Sequence, residues 1–331
     1  MEKVKVGVVG LGAIGKRLME GMKSMYTDQI ELYAVCDADS TLTETVAREY
    51  SVPHSFTNYE DLVNLPDLDF VYIAVPPKFH EQVSSAAAAA GKHILCEKPL
   101  ANSLDEAENM LKATNGKNII QMMNFPLNYQ GAMHKMMSLL EEGYIGSLEK
   151  IDLNLYFPEW PRAWQKNSWV GKREQGGYIL EVGAHWIQFI QKNFGQIDYI
   201  QGEVTYPEDK MLCEKSVLAK MRLENDIVVH LNGDSNFEGK ERVELVVHGR
   251  NGTLMIENWG TLKGKQAENV FHEIPTKDVD VQPIFHHMVQ AHHGKPADLY
   301  DFKVGYNVQV VLEALKNPNL ANGIQLKNYY K

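Results

Sequence analysis

The sequence predicts an α/β chain in which a doubly wound parallel sheet is followed by an α+β domain with an open, largely antiparallel sheet. Over the first part of the chain, short continuous β-branched runs alternate with helical apolar spacing, as expected of strands covered on both faces by helices. Further on, Ile151, Leu153, Leu155 and Phe157 alternate with polar residues, the mark of a strand with one buried and one wet face. The chain has 331 residues, of which 44% are hydrophobic and 23% charged, enough for two domains with separate cores.

Each element follows in order. Val4, Val6, Val8 and Val9 form the first strand, and Lys16 to Met25 continues with helical spacing after the turn Gly10-Leu11-Gly12-Ala13-Ile14-Gly15. Ile30 to Val35 is a second strand closing at Cys36-Asp37, and Leu42 to Tyr50 a second helix. Phe70 to Val75 is a third strand, followed by Pro76-Pro77 and an alanine-rich helix that stops at Gly91. His93 to Cys96 is the fourth, ending in Glu97-Lys98-Pro99. Ser103 to Thr114 opens on a Ser-x-x-Glu capping box formed by Ser103 and Glu106, and Ile119 to Met122 supplies a fifth strand. The first domain is expected to occupy 1–122 and the second 123–331. In the second, strands are expected at 197–206, 215–224, 226–232, 242–248 and 253–257, with turns at Asn225-Asp226, Gly249-Arg250-Asn251-Gly252 and Asn258-Trp259-Gly260. Helices are expected at Gly131–Glu142, Ile179–Asn193, Pro283–His293 and Val304–Leu315.

A formal charge of −10 argues against nucleic acid or an anionic membrane as partner, because both would be repelled over most of the surface. The three cysteines, Cys36, Cys96 and Cys213, lie far apart without CxxC spacing, so neither a disulfide framework nor a zinc site is indicated, and reduced thiols point to the cytoplasm. Met1-Glu2-Lys3 leads straight into a strand pattern rather than a signal peptide, and no run is long enough to span a membrane.

The glycine turn follows a strand, opens a helix and is trailed by Asp37, 22 residues after Gly15. Glycines are required where the backbone turns tightly, approaches a pyrophosphate and packs helix on strand, and the helix N-terminus then offers free N–H groups to the phosphates. Gly10, Gly12, Ala13, Ile14 and Gly15 are therefore the expected dinucleotide seat. Asp37 would accept from ribose hydroxyls and repel a 2′-phosphate, with no cation among Ala38, Asp39 and Ser40 to offset it, which favours NAD over NADP. Glu97-Lys98-Pro99 leaves the sheet at the carboxyl ends of its strands, the edge along which such sheets bind ligands.

In the second domain, Gly176-Gly177-Tyr178-Ile179-Leu180-Glu181-Val182-Gly183-Ala184-His185 would place Glu181 and His185 at i and i+4 on one helix face. Trp160, Trp164 and Trp169 cluster just before it, offering faces for a sugar ring or for burial. His286, His287, His292 and His293 are expected to decorate a solvated helix end; without carboxylate or cysteine spacing beside them, no metal is expected.

Together these segments resemble the family named after glucose-fructose oxidoreductase, inositol dehydrogenase and the rhizopine-catabolism protein MocA. The resemblance runs over Gly10 to Gly15, Ile73-Ala74-Val75-Pro76-Pro77-Lys78-Phe79-His80, Ala90 to Leu100 with its Glu97-Lys98-Pro99, Glu142-Gly143-Tyr144-Ile145-Gly146, Gly176 to His185, and the Gly249-x-x-Gly252 turn. It implies an N-terminal Rossmann domain and a C-terminal domain whose open sheet carries the substrate site and often an oligomer interface, hence a dimer or tetramer. It further implies an NAD(H)-dependent oxidoreductase acting on a secondary alcohol or ketone of a sugar, cyclitol or related polyhydroxylated small molecule. An NAD-dependent glycosidase and a non-catalytic dinucleotide-sensing regulator are the alternatives on this fold.

By that resemblance Val75, Pro76, His80, Glu97 and Lys98 join the cofactor site, Lys98, His185 and Glu181 are the catalytic group, and Lys98, Asn124, Trp164 and His185 meet the substrate. His185 would take the hydroxyl proton and Lys98 favour the developing alkoxide. The sequence departs from the family pattern in three places. Glu181 replaces the usual Asp, Val75 and Pro77 stand where Thr or Ser and Asn are common, and Asn124-Phe125-Pro126-Leu127-Asn128-Tyr129 lacks a customary arginine.

Overall fold

The computed structural model describes residues 2–165, 167–267 and 270–331. The chain forms two compact units: Met1–Asn124 with Pro283–Tyr306, and Phe125–Gln282 with Asn307–Lys331. The division expected from sequence runs the second domain unbroken from 123 to 331; residues 283–306 instead pack with the first unit.

In chain order the first unit contains β1 (Val4–Val9), α1 (Ala13–Met25), β2 (Ile30–Cys36), α2 (Ser40–Tyr50), β3 (His54–Phe56) and α3 (Tyr59–Val63). It continues with β4 (Phe70–Ile73), α4 (His80–Ala89), β5 (His93–Cys96), α5 (Leu104–Thr114) and β6 (Gln121–Met123). The sheet order is β3-β2-β1-β4-β5-β6, all parallel, the arrangement of a Rossmann domain. Val4, Val8, Phe70, Val71, Tyr72, Ile73, Ile94 and Leu95 are fully buried, which is why these strands read as predominantly apolar runs. The short strand β3 and helix α3 have too few residues to show a period, and the sequence pattern passes over them. The capping box forms: Ser103 Oγ accepts from Glu106 N–H at 3.2 Å, and Glu106 Oε2 accepts from Asn102 N–H at 3.0 Å.

The second unit contains α6 (Gly131–Glu141), β7 (Leu148–Phe157), a π-helical turn (Ile179–Gly183), α7 (Ala184–Phe194), β8 (Ile197–Thr205), β9 (Ser216–Leu223) and β10 (Val228–Ser235). β11 (Arg242–Gly249), β12 (Thr253–Glu257), β13 (Thr261–Lys265) and β14 (His272–Glu273) complete the run. The chain then crosses to the first unit as α8 (Ile284–His292), and α9 (Phe302–Lys316) begins in that unit and carries the chain back, to end with β15 (Ile324–Gln325). The nine strands are ordered β14-β13-β12-β11-β7-β10-β9-β8-β15. Every neighbouring pair is antiparallel except β10 with β7. Alternation along β7 buries Ile151, Leu153, Leu155 and Phe157 and leaves Asp152, Asn154 and Tyr156 on the open face, as the sequence pattern requires.

The histidines of α8 are not merely solvated. His292 packs against the rings of Phe70 and His93, with centroids 6.1 and 5.7 Å away, and His287 Nδ1 accepts from Asp298 N–H at 3.1 Å. Imidazole edges suit such half-buried ring contacts. Among the described residues no group of three or more His, Cys, Asp or Glu could hold a metal ion. Among the same residues no helix is long and apolar enough to cross a membrane. All three cysteines are buried and free, and burial raises the Cys36 and Cys213 thiols to about 12 each.

Candidate active site

The glycine turn does three different jobs. Gly10 has φ +97°, and a Cβ there would lie 2.6 Å from the backbone nitrogen of Val75. A Cβ at Gly15 would collide with the Gly10 carbonyl oxygen, so this glycine lets α1 close onto β1. Gly12 is different: a Cβ there meets nothing within 4 Å. It is the N-cap of α1, which has no side-chain cap and no acidic residue in its first turn. Ala13 and Ile14 are the first helical residues. An uncapped helix start without a carboxylate, beside open backbone, fits an anionic pyrophosphate.

Asp37 stands at the carboxyl end of β2. Its Oδ2 accepts from Leu11 N–H at 2.9 Å and its Oδ1 from Asp39 N–H at 3.1 Å. The carboxylate therefore tethers the glycine loop, and none of the three residues that follow it, Ala38, Asp39 and Ser40, is basic.

At the ends of β4 and β5 the loops are fastened from behind. His80 is fully buried; its Nε2 lies 2.9 Å from the Val75 carbonyl and its Nδ1 2.9 Å from that of Pro99. Burial lowers its pKa, and a neutral ring can donate to one of the two carbonyls at a time. His80 was expected among the cofactor contacts; its ring nitrogens are spent on tying the Val75-Pro76 loop to the Lys98-Pro99 turn, whose peptide bond is cis. Val75 and Pro76 are themselves half-buried.

Glu97 is buried too. Its Oε1 accepts from Tyr72 Oη at 2.7 Å and from Asn124 Nδ2 at 2.6 Å, while burial pushes its carboxyl above the usual range. Asn124, expected to meet substrate, gives its amide to Glu97, and its backbone N–H donates to the Cys96 carbonyl at 2.8 Å. Lys98 follows on this fixed base, half-buried.

In the second unit the double glycine is enforced by crowding. A Cβ at Gly176 would collide with the carbonyl oxygens of Val170 and Trp169, and Gly177, at φ +102°, has the Glu214 carboxylate where its Cβ would be. Glu214 is buried, its Oε1 accepts from Ile179 N–H at 2.7 Å, and burial raises its pKa. It thus caps the segment that carries Glu181 and His185. The expected single α-helix over 179–193 is corrected here. Residues Ile179–Gly183 form a π-turn, with Ala184 N–H reaching back to the Ile179 carbonyl, and the α-helix begins only at Ala184. π-turns are frequent at functional sites. Glu181 remains half-buried and His185 buried, one turn apart across the junction.

The tryptophans divide. Trp160 is packed against Phe157 and Tyr178, its Nε1 donating to the Val170 carbonyl at 3.3 Å. Trp164 is 59% exposed. The sequence pattern gave Trp259 only as part of a turn and not as a neighbour of His185; its ring meets that of His185 at 5.8 Å and 83° and that of Trp186 at 5.8 Å. A bulky aromatic among turn residues was the available signal.

The description "Oxidoreductase family, NAD-binding Rossmann fold" matches residues 4–125, and the GFO/IDH/MocA C-terminal domain matches residues 133–255. An uncharacterised oxidoreductase, YrbE, of Bacillus subtilis is 27% identical over 205 residues, 62% of this chain and 56% of its own length. Levoglucosan dehydrogenase of Pseudarthrobacter phenanthrenivorans is 24% identical over 293 residues, 77% of this chain and 74% of its own. A solved structure of levoglucosan dehydrogenase in complex with NADH and levoglucosan shares the fold at TM-score 0.84 and 20% identity, over 98% of this chain and 99% of that one. Glycine seat, Asp37 and both family matches agree, and the chain belongs to the GFO/IDH/MocA family as an NAD-dependent oxidoreductase.

Proposed function

We propose that the protein is a dehydrogenase or reductase acting on a secondary alcohol or ketone of a sugar, cyclitol or related polyhydroxylated small molecule. The observation that carries this reading is the anchoring of Lys98. It leaves the carboxyl end of an interior strand on a turn held by His80, next to a Glu97 pinned by Tyr72 and Asn124. Three buried side chains spent on fixing one turn suit a lysine that must be placed accurately. The name of the levoglucosan-oxidising relative supports a sugar as substrate.

In this reading the α1 N-terminus at Gly12 holds the pyrophosphate and Asp37 the adenosine ribose hydroxyls. NAD, when bound, supplies the hydride acceptor or donor. Lys98 donates a hydrogen bond to the substrate oxygen and favours its alkoxide character, and His185 takes the hydroxyl proton during oxidation and returns it during reduction. Glu181, one turn from His185, biases that proton's position. Lys98→Ala and His185→Ala are each expected to lower NAD-linked turnover at least 100-fold while still binding NADH. Purified enzyme with NAD⁺ and a panel of sugars and cyclitols, followed by NADH absorbance, supplies the assay. Wild-type rates in both variants overturn the assignment of roles, and glycoside cleavage without NADH release would move the protein to the glycosidase class.

A further inference from the structure

Around His185 the second unit carries a continuous band of rings that no part of the oxidoreductase chemistry above requires. Trp259 and His185 stand nearly perpendicular, ring against ring, and the Trp259 ring also lies beside that of the fully buried Trp186. The Arg162 guanidinium lies 5.8 Å from the Trp259 ring, 5.9 Å from that of Trp164 and 5.5 Å from that of Trp160. Glu241 holds Arg162 by two bonds, Nε to Oε2 at 3.0 Å and Nη2 to Oε1 at 2.8 Å. The band thus runs from exposed Trp164 through the clamped guanidinium to Trp259 and ends at the imidazole.

Two features separate this from ordinary core packing. Trp259 is only half-buried although its ring lies against that of a fully buried tryptophan, so part of the residue reaches the surface. It also has φ +72°, directly after Asn258 at φ +47°. A bulky L-residue in the left-handed region is an outlier, and such residues persist where the surroundings over-determine them and where function uses the placement. A glycine would serve the turn better if the turn were all that mattered. Arg162 does not act as a free cation, because Glu241 compensates its charge; it acts as a flat, rigid spacer between aromatic rings.

We propose that Trp259 and Trp164, bridged by Arg162, form the stacking platform for a ring-shaped substrate, a pyranose or a cyclitol, and that Trp259 brings the ring alongside His185. The apolar C–H face of such a ring lies on an aromatic face, leaving its hydroxyls to polar partners. Open-chain polyols present no such face and gain nothing from the platform. The inference rests on the dehydrogenase reading and narrows its substrate class.

The test compares wild type with Trp259→Leu and Trp259→Phe on two substrate sets, cyclic (levoglucosan, D-glucose, myo-inositol) and acyclic (sorbitol, glycerol), with NAD⁺. Trp259→Leu is expected to raise KM for the cyclic substrates roughly tenfold and to change that for acyclic ones less than twofold. Trp259→Phe should recover most of the loss. A melting curve and the NADH affinity of each variant serve as controls for folding and for the cofactor site. Equal effects on both sets, or a fall in melting temperature with KM unchanged, overturns the platform and assigns Trp259 to packing. Wild-type turnover confined to acyclic polyols overturns the platform and leaves the dehydrogenase reading standing; no NAD-linked turnover on either set overturns both.

Discussion

Gly177 and Glu214 occupy a single space: a Cβ on Gly177 would stand 2.6 Å from Glu214 Oε1, the oxygen that accepts from Ile179 N–H. The absence of one methyl group therefore decides whether a buried carboxylate can reach the start of the segment bearing Glu181 and His185. Gly177→Ala meets both this collision and the left-handed φ, a cost of about 1–3 kcal/mol from backbone strain alone. It is expected to lower the melting temperature and to reduce turnover more than NADH affinity. Glu214→Leu, which removes the acceptor, should copy the loss of turnover; unchanged kcat in both variants would detach the cap from catalysis.

The glycine turn predicts opposite phenotypes for two neighbours. Gly15→Ala has to displace the Gly10 carbonyl, so it should destabilise the first unit and show as an earlier thermal transition. Gly12→Ala meets no protein atom within 4 Å, so the melting curve without cofactor should be unchanged while NADH affinity falls by tenfold or more. Isothermal titration with NADH beside differential scanning calorimetry separates the two outcomes.

Asp37 holds Leu11 N–H, and in the proposed reading it also accepts from the ribose; the two roles can be pulled apart. Asp37→Ala forfeits charge-assisted hydrogen bonds of about 1.5–3 kcal/mol, which is roughly 10- to 100-fold in KM for NAD⁺. Asp37→Asn keeps an acceptor for the loop yet removes the charge that repels a 2′-phosphate. The ratio of kcat/KM for NADP⁺ to that for NAD⁺ should therefore rise in both variants, with the Asn form the more stable. An unaltered ratio would remove Asp37 from cofactor choice.

Glu97 gives a pH prediction of definite sign. Burial raises its carboxyl pKa in the folded protein, so its contribution to stability is full below the ordinary glutamate range and is lost as pH rises through the folded value. Glu97→Gln keeps an acceptor oxygen for Tyr72 and Asn124 but cannot ionise. Its melting temperature relative to wild type should climb as pH rises above the ordinary glutamate range. A constant difference over that rise would mean that Glu97 titrates as an exposed carboxyl does.

The Rossmann sheet was legible because its strands are short, predominantly apolar and β-branched runs that alternate with helical apolar spacing; β5 was read to the residue, as was β12 in the second unit. The glycine turn and Asp37 were legible because their spacing is set by backbone geometry within one β-α-β unit. What sequence could not supply was long-range. Glu214 lies 35 residues from the N–H group it caps, and the partners of Glu97 lie 25 and 27 residues away on either side. Trp259 was hidden for another reason: Asn258 and Gly260 advertise a turn, and a turn's sequence does not say which ring it will press against a histidine. The π-turn at Ile179–Gly183 likewise carries a helical apolar pattern that does not distinguish it from an ordinary helix start.

The crossing of residues 283–306 into the first unit bears on how the protein can be dissected. Phe285 sets its ring on Tyr26 at 5.8 Å, His292 covers Phe70, and the Tyr300 carbonyl accepts from Met123 N–H at 2.7 Å on β6, the last strand of the parallel sheet. A fragment cut after residue 124 would carry that apolar ground bare and leave a strand edge open to self-association. Supplied as a separate peptide, or spliced on through a short Gly-Ser joint, the same stretch should return it to a soluble monomer. The nucleotide-binding half is thus a two-piece module, suited to split-reporter use, whose reassembly can be read by recovered NADH fluorescence.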